Sequence, residues 1–179
     1  MGRRPGTSSK FSVVDIVVDH YTTLKNLDTG KYAAADLIVF VGLPSAAAAA
    51  TIYFGAPVRH MPEVLAATAV FTGLIFGAYV LMYDMTMRAT DHTDPVRGTK
   101  VLQLAAELRA NISYAVLVGI SLTGLLGGFV MFTDGDLPVV ASAVFVFGAI
   151  QLLLTIFMVL RRVRALYRAY PAAQVDRIP

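Results

Sequence analysis

The sequence predicts an all-α integral membrane protein with four transmembrane helices, preceded by an N-terminal amphipathic helix on the cytoplasmic side. Three observations predict it. First, residues 37–58, 64–83, 110–133 and 137–160 carry no charged side chain at all, in runs of 22, 20, 24 and 24 residues. At about 1.5 Å rise per residue each run makes a helix of roughly 30 Å or more, enough to cross a hydrocarbon core of about 30 Å. Second, fourteen of the fifteen Lys and Arg residues fall on one side once the chain is folded back at these runs, and only Arg59 falls on the other. The positive-inside rule therefore puts both termini in the cytoplasm. Third, a soluble helix alternates polar and apolar faces at period 3.6, whereas these runs carry charge at no phase. The 56% apolar content agrees.

With their flanks the spans cover about 33–56, 64–86, 108–132 and 137–161 of a transmembrane domain at 32–168. A cytoplasmic arm (1–31), a cytoplasmic loop (87–107) and a tail (169–179) remain. None of these pieces reaches the ~50 residues that an independent domain usually needs. The chain has no cysteine, which removes disulfides, thiolate metal sites and thiol nucleophiles. Its net charge of +3 is arranged by membrane side, so the bilayer is the expected partner and no direct nucleic-acid binding is expected.

The arm begins MGRRPGTSSK, with the basic residues of a signal peptide, but the apolar run starts only at Leu37, so no cleavable signal is expected. Gly6 stands where a myristoylation motif needs Ser or Thr. From Ser12 the pattern is helical. Val13, Val17, Leu24 and Leu27, with Val14 and Tyr21, share one face, while Asp15, Asp19, Thr22, Lys25 and Asn26 lie largely opposite. Ser12 can cap this helix and Gly30 can stop it. Such a helix lies at the headgroups or packs on cytoplasmic helices of the same protein or a partner.

Span one contains Pro44, which removes a hydrogen bond to the carbonyl of Phe40 and bends the helix, either for packing or as a hinge. Span two carries Ala69, Gly73 and Gly77 at four-residue spacing, and span three carries Ala115, Gly119, Thr123 and Gly127 likewise. These stripes are helix-packing surfaces, within one subunit or between subunits. The middle loop opens with the polar, turn-rich RATDHTDPVRGTK and continues as VLQLAAELRAN, a cytoplasmic extension of span three. Its Asp91, His92 and Asp94 make too small a set in a loop for a metal site. Span four lies between TDGD and RRVR, which orients it outside to inside.

Counting depth from the cytoplasmic ends places Gln151, Ser121 and Thr72 about 15 to 18 Å in, with Thr155 one turn from Gln151. They form an expected midplane polar layer, serving either interhelical hydrogen bonds or a water-filled path. A second layer lies at the inner boundary: Asp36, Asp84, Asn111 and Tyr114, with Arg161 and Arg162. Ordinary snorkelling accounts for the arginines but poorly for short aspartates, so a salt-bridged collar at the inner mouth is expected. No ionisable residue reaches the midplane, and no nucleophile–base pair, phosphate loop or metal quartet is present. No enzyme, cofactor or metal is expected.

The cytoplasmic ends of the spans, VLMYDM in span two, ELRANISYAVLV entering span three and LLLTIFMVLRRVRALY leaving span four, resemble a group of small bacterial four-span membrane proteins. These are the membrane effectors of phage-defence operons, among them the Hailong-type channel effectors, and the resemblance covers about residues 15–168. It implies an oligomeric channel of the bacterial inner membrane whose opening harms the cell and whose gate is set by a cytosolic regulatory protein. The alternative from another class is a non-conducting membrane anchor or scaffold that recruits a cytosolic partner through the first helix and the middle loop.

Overall fold

The computed structural model describes residues 13–23, 38–90, 95–133 and 135–175, with side chains described through 84 and from 105 to 164. Among these residues every regular element is helical: α1 (Val13–Thr22), a π-helical turn (Ile38–Gly42) leading into α2 (Leu43–Tyr53), α3 (Met61–Thr90), α4 (Pro95–Phe132) and α5 (Val139–Val175). Three of them hold apolar stretches long enough to cross a membrane: Met61–Asp84, Ala105–Phe132 and Val139–Arg164. The fourth expected span is described only as the shorter apolar helix Ile38–Tyr53. Residues 33–37, with Asp36, lie outside the described residues.

Pro44 takes the form of a change in helix type. It sits at the second position of α2, directly after the π turn, so the hydrogen bond that proline cannot make falls where the helix changes type. At the other end of α2 the chain closes in a Schellman motif. Gly55 N donates to Ile52 O and Ala56 N to Thr51 O, with Gly55 at φ +57°, a value glycine adopts without a Cβ clash.

The segment between the apolar stretches of α3 and α4, expected as the loop 87–107, spans 85–104 and is helical over most of its length. Helix α3 runs to Thr90 and α4 begins at Pro95, so only 91–94, outside the described residues, separate them. The reason is local: Pro95 opens a helix, where its fixed φ is favourable, and the polar run after it continues the helix that was expected to begin only at VLQLAAELRAN. Likewise α5 continues through most of the expected tail, to Val175.

Helix α3 packs on α4, α4 on α5, and α5 on α2, while α1 lies on α4 and the π turn touches α5. These described helices therefore form a row in the order α3, α4, α5, α2, and α2 does not close back on α3. One small-residue stripe makes a close approach. A Cβ built on Gly119 of α4 would lie 2.6 Å from Thr72 Oγ1 of α3. Gly127 meets only Leu65 Cδ1, at 4.0 Å, and Gly73 and Gly77 meet nothing within 4 Å. The stripe of α3 thus faces away from the other described helices, and α3 is the least buried of the three long helices.

At one end of the row two turns are clasped. Leu137 N donates to Val58 O at 3.0 Å, Val58 N to Ser142 Oγ at 2.8 Å, and Ser142 Oγ to Leu137 O at 3.0 Å. Met61, Leu126 and Leu137 bury an apolar cluster beneath them. Arg59 and Asp136 add an exposed ion pair at 3.7 Å, of little energetic weight. The opposite end, marked by Arg162, is built from polar groups.

Candidate functional site

Two polar stripes and the end of α1 meet at the Arg162 end. Glu107, Asn111 and Tyr114 follow one face of α4 at i, i+4 and i+7. Gln151, Thr155 and Arg162 follow one face of α5, and His20 near the end of α1 stands beside Thr23 just beyond it. Residues four or seven apart lie along one side of a helix, so each stripe presents its groups to the same neighbour.

His20 is fully buried at the junction. Its ring stacks on Tyr114 with centroids 3.9 Å apart and planes 5° from parallel, and Phe40 of the π turn packs against it at 5.8 Å. His20 Nδ1 lies 2.8 Å from Asn111 Oδ1, an acceptor, so Nδ1 carries the hydrogen. Tyr21 meets the rings of His20 and Tyr114 edge-on, and its hydroxyl accepts from Gln151 Nε2 at 3.3 Å. Thr155 Oγ1 donates to Gln151 O at 2.8 Å. Arg162 joins all three helices: Nη2 donates to Thr23 O at 2.7 Å, and Nη1 lies 3.0 Å from Glu107 Oε2, each of these charged side chains being 15% exposed.

Four buried side-chain atoms make no hydrogen bond among the described residues: His20 Nε2, Asn111 Nδ2, Gln151 Oε1 and Arg162 Nη1, the last of which is held by Glu107 through the ion pair alone. All four belong to this junction. An adjacent cleft of about 310 Å³ opens between α1 and α4, lined by Ile16, Asp19, Thr22, Thr23, Glu107 and Ser113 among others.

Burial pushes the His20 imidazole down to about 4, the Arg162 charge pushes the same way, and the hydrogen bond to Asn111 opposes them. His20 is therefore neutral at pH 7. Because docking disfavours its protonation, the imidazole's contribution is fully present above the ordinary value of about 6.5 and is lost as pH falls toward about 4. The groups facing it are Asn111 and Tyr114 of α4, with Glu107 one turn away, Arg162 of α5, Phe40 of the π turn and Tyr21 of its own helix. The three histidines of the chain can be followed by NMR, and the His20 resonance should titrate with a midpoint near 4. A midpoint near 6.5 would mean that the ring is solvated and α1 undocked.

The expected midplane layer does not converge. Gln151 and Thr155 lie in the α1–α5 junction, Thr72 is buried against Gly119 and bonded to Thr68 O, and Ser121 is exposed and bonded to Leu117 O. At the inner boundary an acid outside the expected set, Glu107, meets one of the collar arginines. Arg162 pairs with Glu107, while Asp84 and Arg161 are exposed and Asp36 lies outside the described residues. Asn111 of the expected collar is buried, bonded to His20. Sequence reasoning missed His20 and Glu107. The spacing His20–Val17–Val13 puts the imidazole on an apolar face, a signal that was readable. On α1 itself, Val13, Val14 and Val18 are exposed, so the buried face is centred on His20 rather than on the expected valines.

No group of three or more His, Cys, Asp or Glu residues suited to a metal occurs among the described residues. No family model matches the chain, and comparison with curated proteins and with solved structures gives no match either.

Proposed function

We propose that this chain is a subunit of an oligomeric membrane channel with four crossings and both termini in the cytoplasm, in the bacterial inner membrane. The observation that carries the reading is the buried polar junction, which runs from Arg162 inward past Thr155 to Gln151 between α4 and α5. Polar groups at this depth are costly in a membrane unless they serve one another or a water-filled path. A row of helices with two open edges encloses nothing alone, so a conducting path requires several copies. The outward stripe of Ala69, Gly73 and Gly77 on α3 suits a contact between copies. The fourth crossing is supported by the reach of one segment: Phe40 lies beside His20 at the Arg162 end, and Val58 lies in the clasp at the other. The resemblance of the span ends to phage-defence effectors supplies the setting, a channel whose opening harms the cell under control of a cytosolic partner.

The second reading, a non-conducting anchor, draws on the cleft between α1 and α4, whose Asp19, Glu107 and Arg109 suit a charged partner surface. Reconstitution separates the two. In liposomes loaded with potassium salt, the purified chain should migrate as a multimer and release ions. A multimer that holds the gradient would favour the anchor.

A further inference from the structure

Helix α1 is held mainly by its tip. Val13, Val14 and Val18 are exposed, and the fully buried residue it contributes is His20. Polar contacts join it through Tyr21 and Thr23 to Gln151, Asn111 and Arg162, and the Tyr21 ring meets Tyr114 edge-on. This interface also contains the buried side-chain atoms that have no polar partner among the described residues, His20 Nε2, Asn111 Nδ2 and Gln151 Oε1. Such atoms lose water on docking and gain no replacement, so they regain hydrogen bonds when the interface opens. The apolar cluster beneath the clasp, by contrast, gains nothing from exposure.

We propose that α1 is a releasable plug. Its His20–Tyr21 tip seals a polar vestibule walled by Asn111 and Tyr114 of α4 and by Gln151 and Arg162 of α5, and withdrawal of α1 admits water between these helices. As a gate for ions the plug rests on the channel reading; as a moving element it does not.

The absence of native cysteine allows a test in the full chain. Thr155 is fully buried within the junction, and Ala143 is buried in α5 near the clasp. Single variants Thr155→Cys and Ala143→Cys, in liposomes, are exposed to a water-soluble maleimide with and without His20→Arg. The substitution sets a second cation beside Arg162, whose acid among the described residues, Glu107, is already paired, and this should shift docking by roughly two orders of magnitude. Labelling at Thr155→Cys should rise accordingly, while Ala143→Cys stays protected. A rise at both positions would overturn the proposal, because α1 would then be an integral part of the fold; a rise at neither would overturn it as well. Ion release from the same liposomes separates the two readings. Opening at Thr155→Cys without ion release from any variant leaves the plug and removes the channel. Release that is already maximal with α1 docked removes the plug as a gate.

Discussion

Gly119→Leu should separate α3 from α4 and cost the protein its folded state in mild detergent. Even the first carbon of a side chain at this position would lie 2.6 Å from Thr72 Oγ1, 3.0 Å from its Cγ2 and 3.2 Å from its Cβ. Thr72 cannot step aside easily. It is β-branched, and its hydroxyl is held by a 2.8 Å bond to Thr68 O. Gly119→Ala should therefore cost about 1 to 3 kcal/mol, the usual range for overpacking, and leucine more. Unfolding followed by circular dichroism reads both. Thr72→Ala in the Gly119→Ala background should recover most of the loss, since it removes the two nearest atoms. Gly73→Leu makes the contrast. Nothing lies within 4 Å of that position, so the subunit should keep its stability and any effect should fall on assembly.

Glu107→Gln should be the most damaging single charge change at the Arg162 end. It leaves Arg162, 15% exposed, bonded to Thr23 O but with no counter-charge among the described residues. Removing one partner of a buried pair commonly costs about 3 to 5 kcal/mol, and the residual exposure here places the expectation at the lower end. Glu107→Gln combined with Arg162→Leu should be less harmful than the sum of the two single changes, with a coupling of roughly 0.5 to 3 kcal/mol. Asp84→Asn changes an exposed side chain and should cost about 1 kcal/mol or less. Additivity of the Glu107 and Arg162 variants would mean that the 3.0 Å contact contributes nothing to the junction.

The long spans were legible because charge is expensive in lipid, so a run without charge marks its own limits. The same rule hid Glu107. Cutting the chain at its charges ended span three near Arg109 and left Glu107 in the cytoplasmic extension without a partner, whereas on α4 it stands one turn before Asn111 on the face that meets Arg162. Depth counting then offered Asp84 and Asp36 as the nearest acids. The glycine stripes show a similar limit. Spacing marks a face that permits close approach, but Gly119 meets Thr72 and Gly73 meets nothing, because periodicity does not say which faces meet. His20 was visible as an imidazole on an apolar face, but its stacking on Tyr114 depends on how α1 folds back over residues more than ninety positions away.

The most direct test of the account is the side of the membrane from which two single cysteines react. Thr22 lies on α1, docked at the Arg162 end, and Arg59 lies in the turn clasped at the other. In spheroplasts treated with a membrane-impermeant thiol reagent, Arg59→Cys should react at once and Thr22→Cys only after the membrane is opened, because the segment between them crosses the bilayer. Reaction of both from the same side would contradict the four-span account.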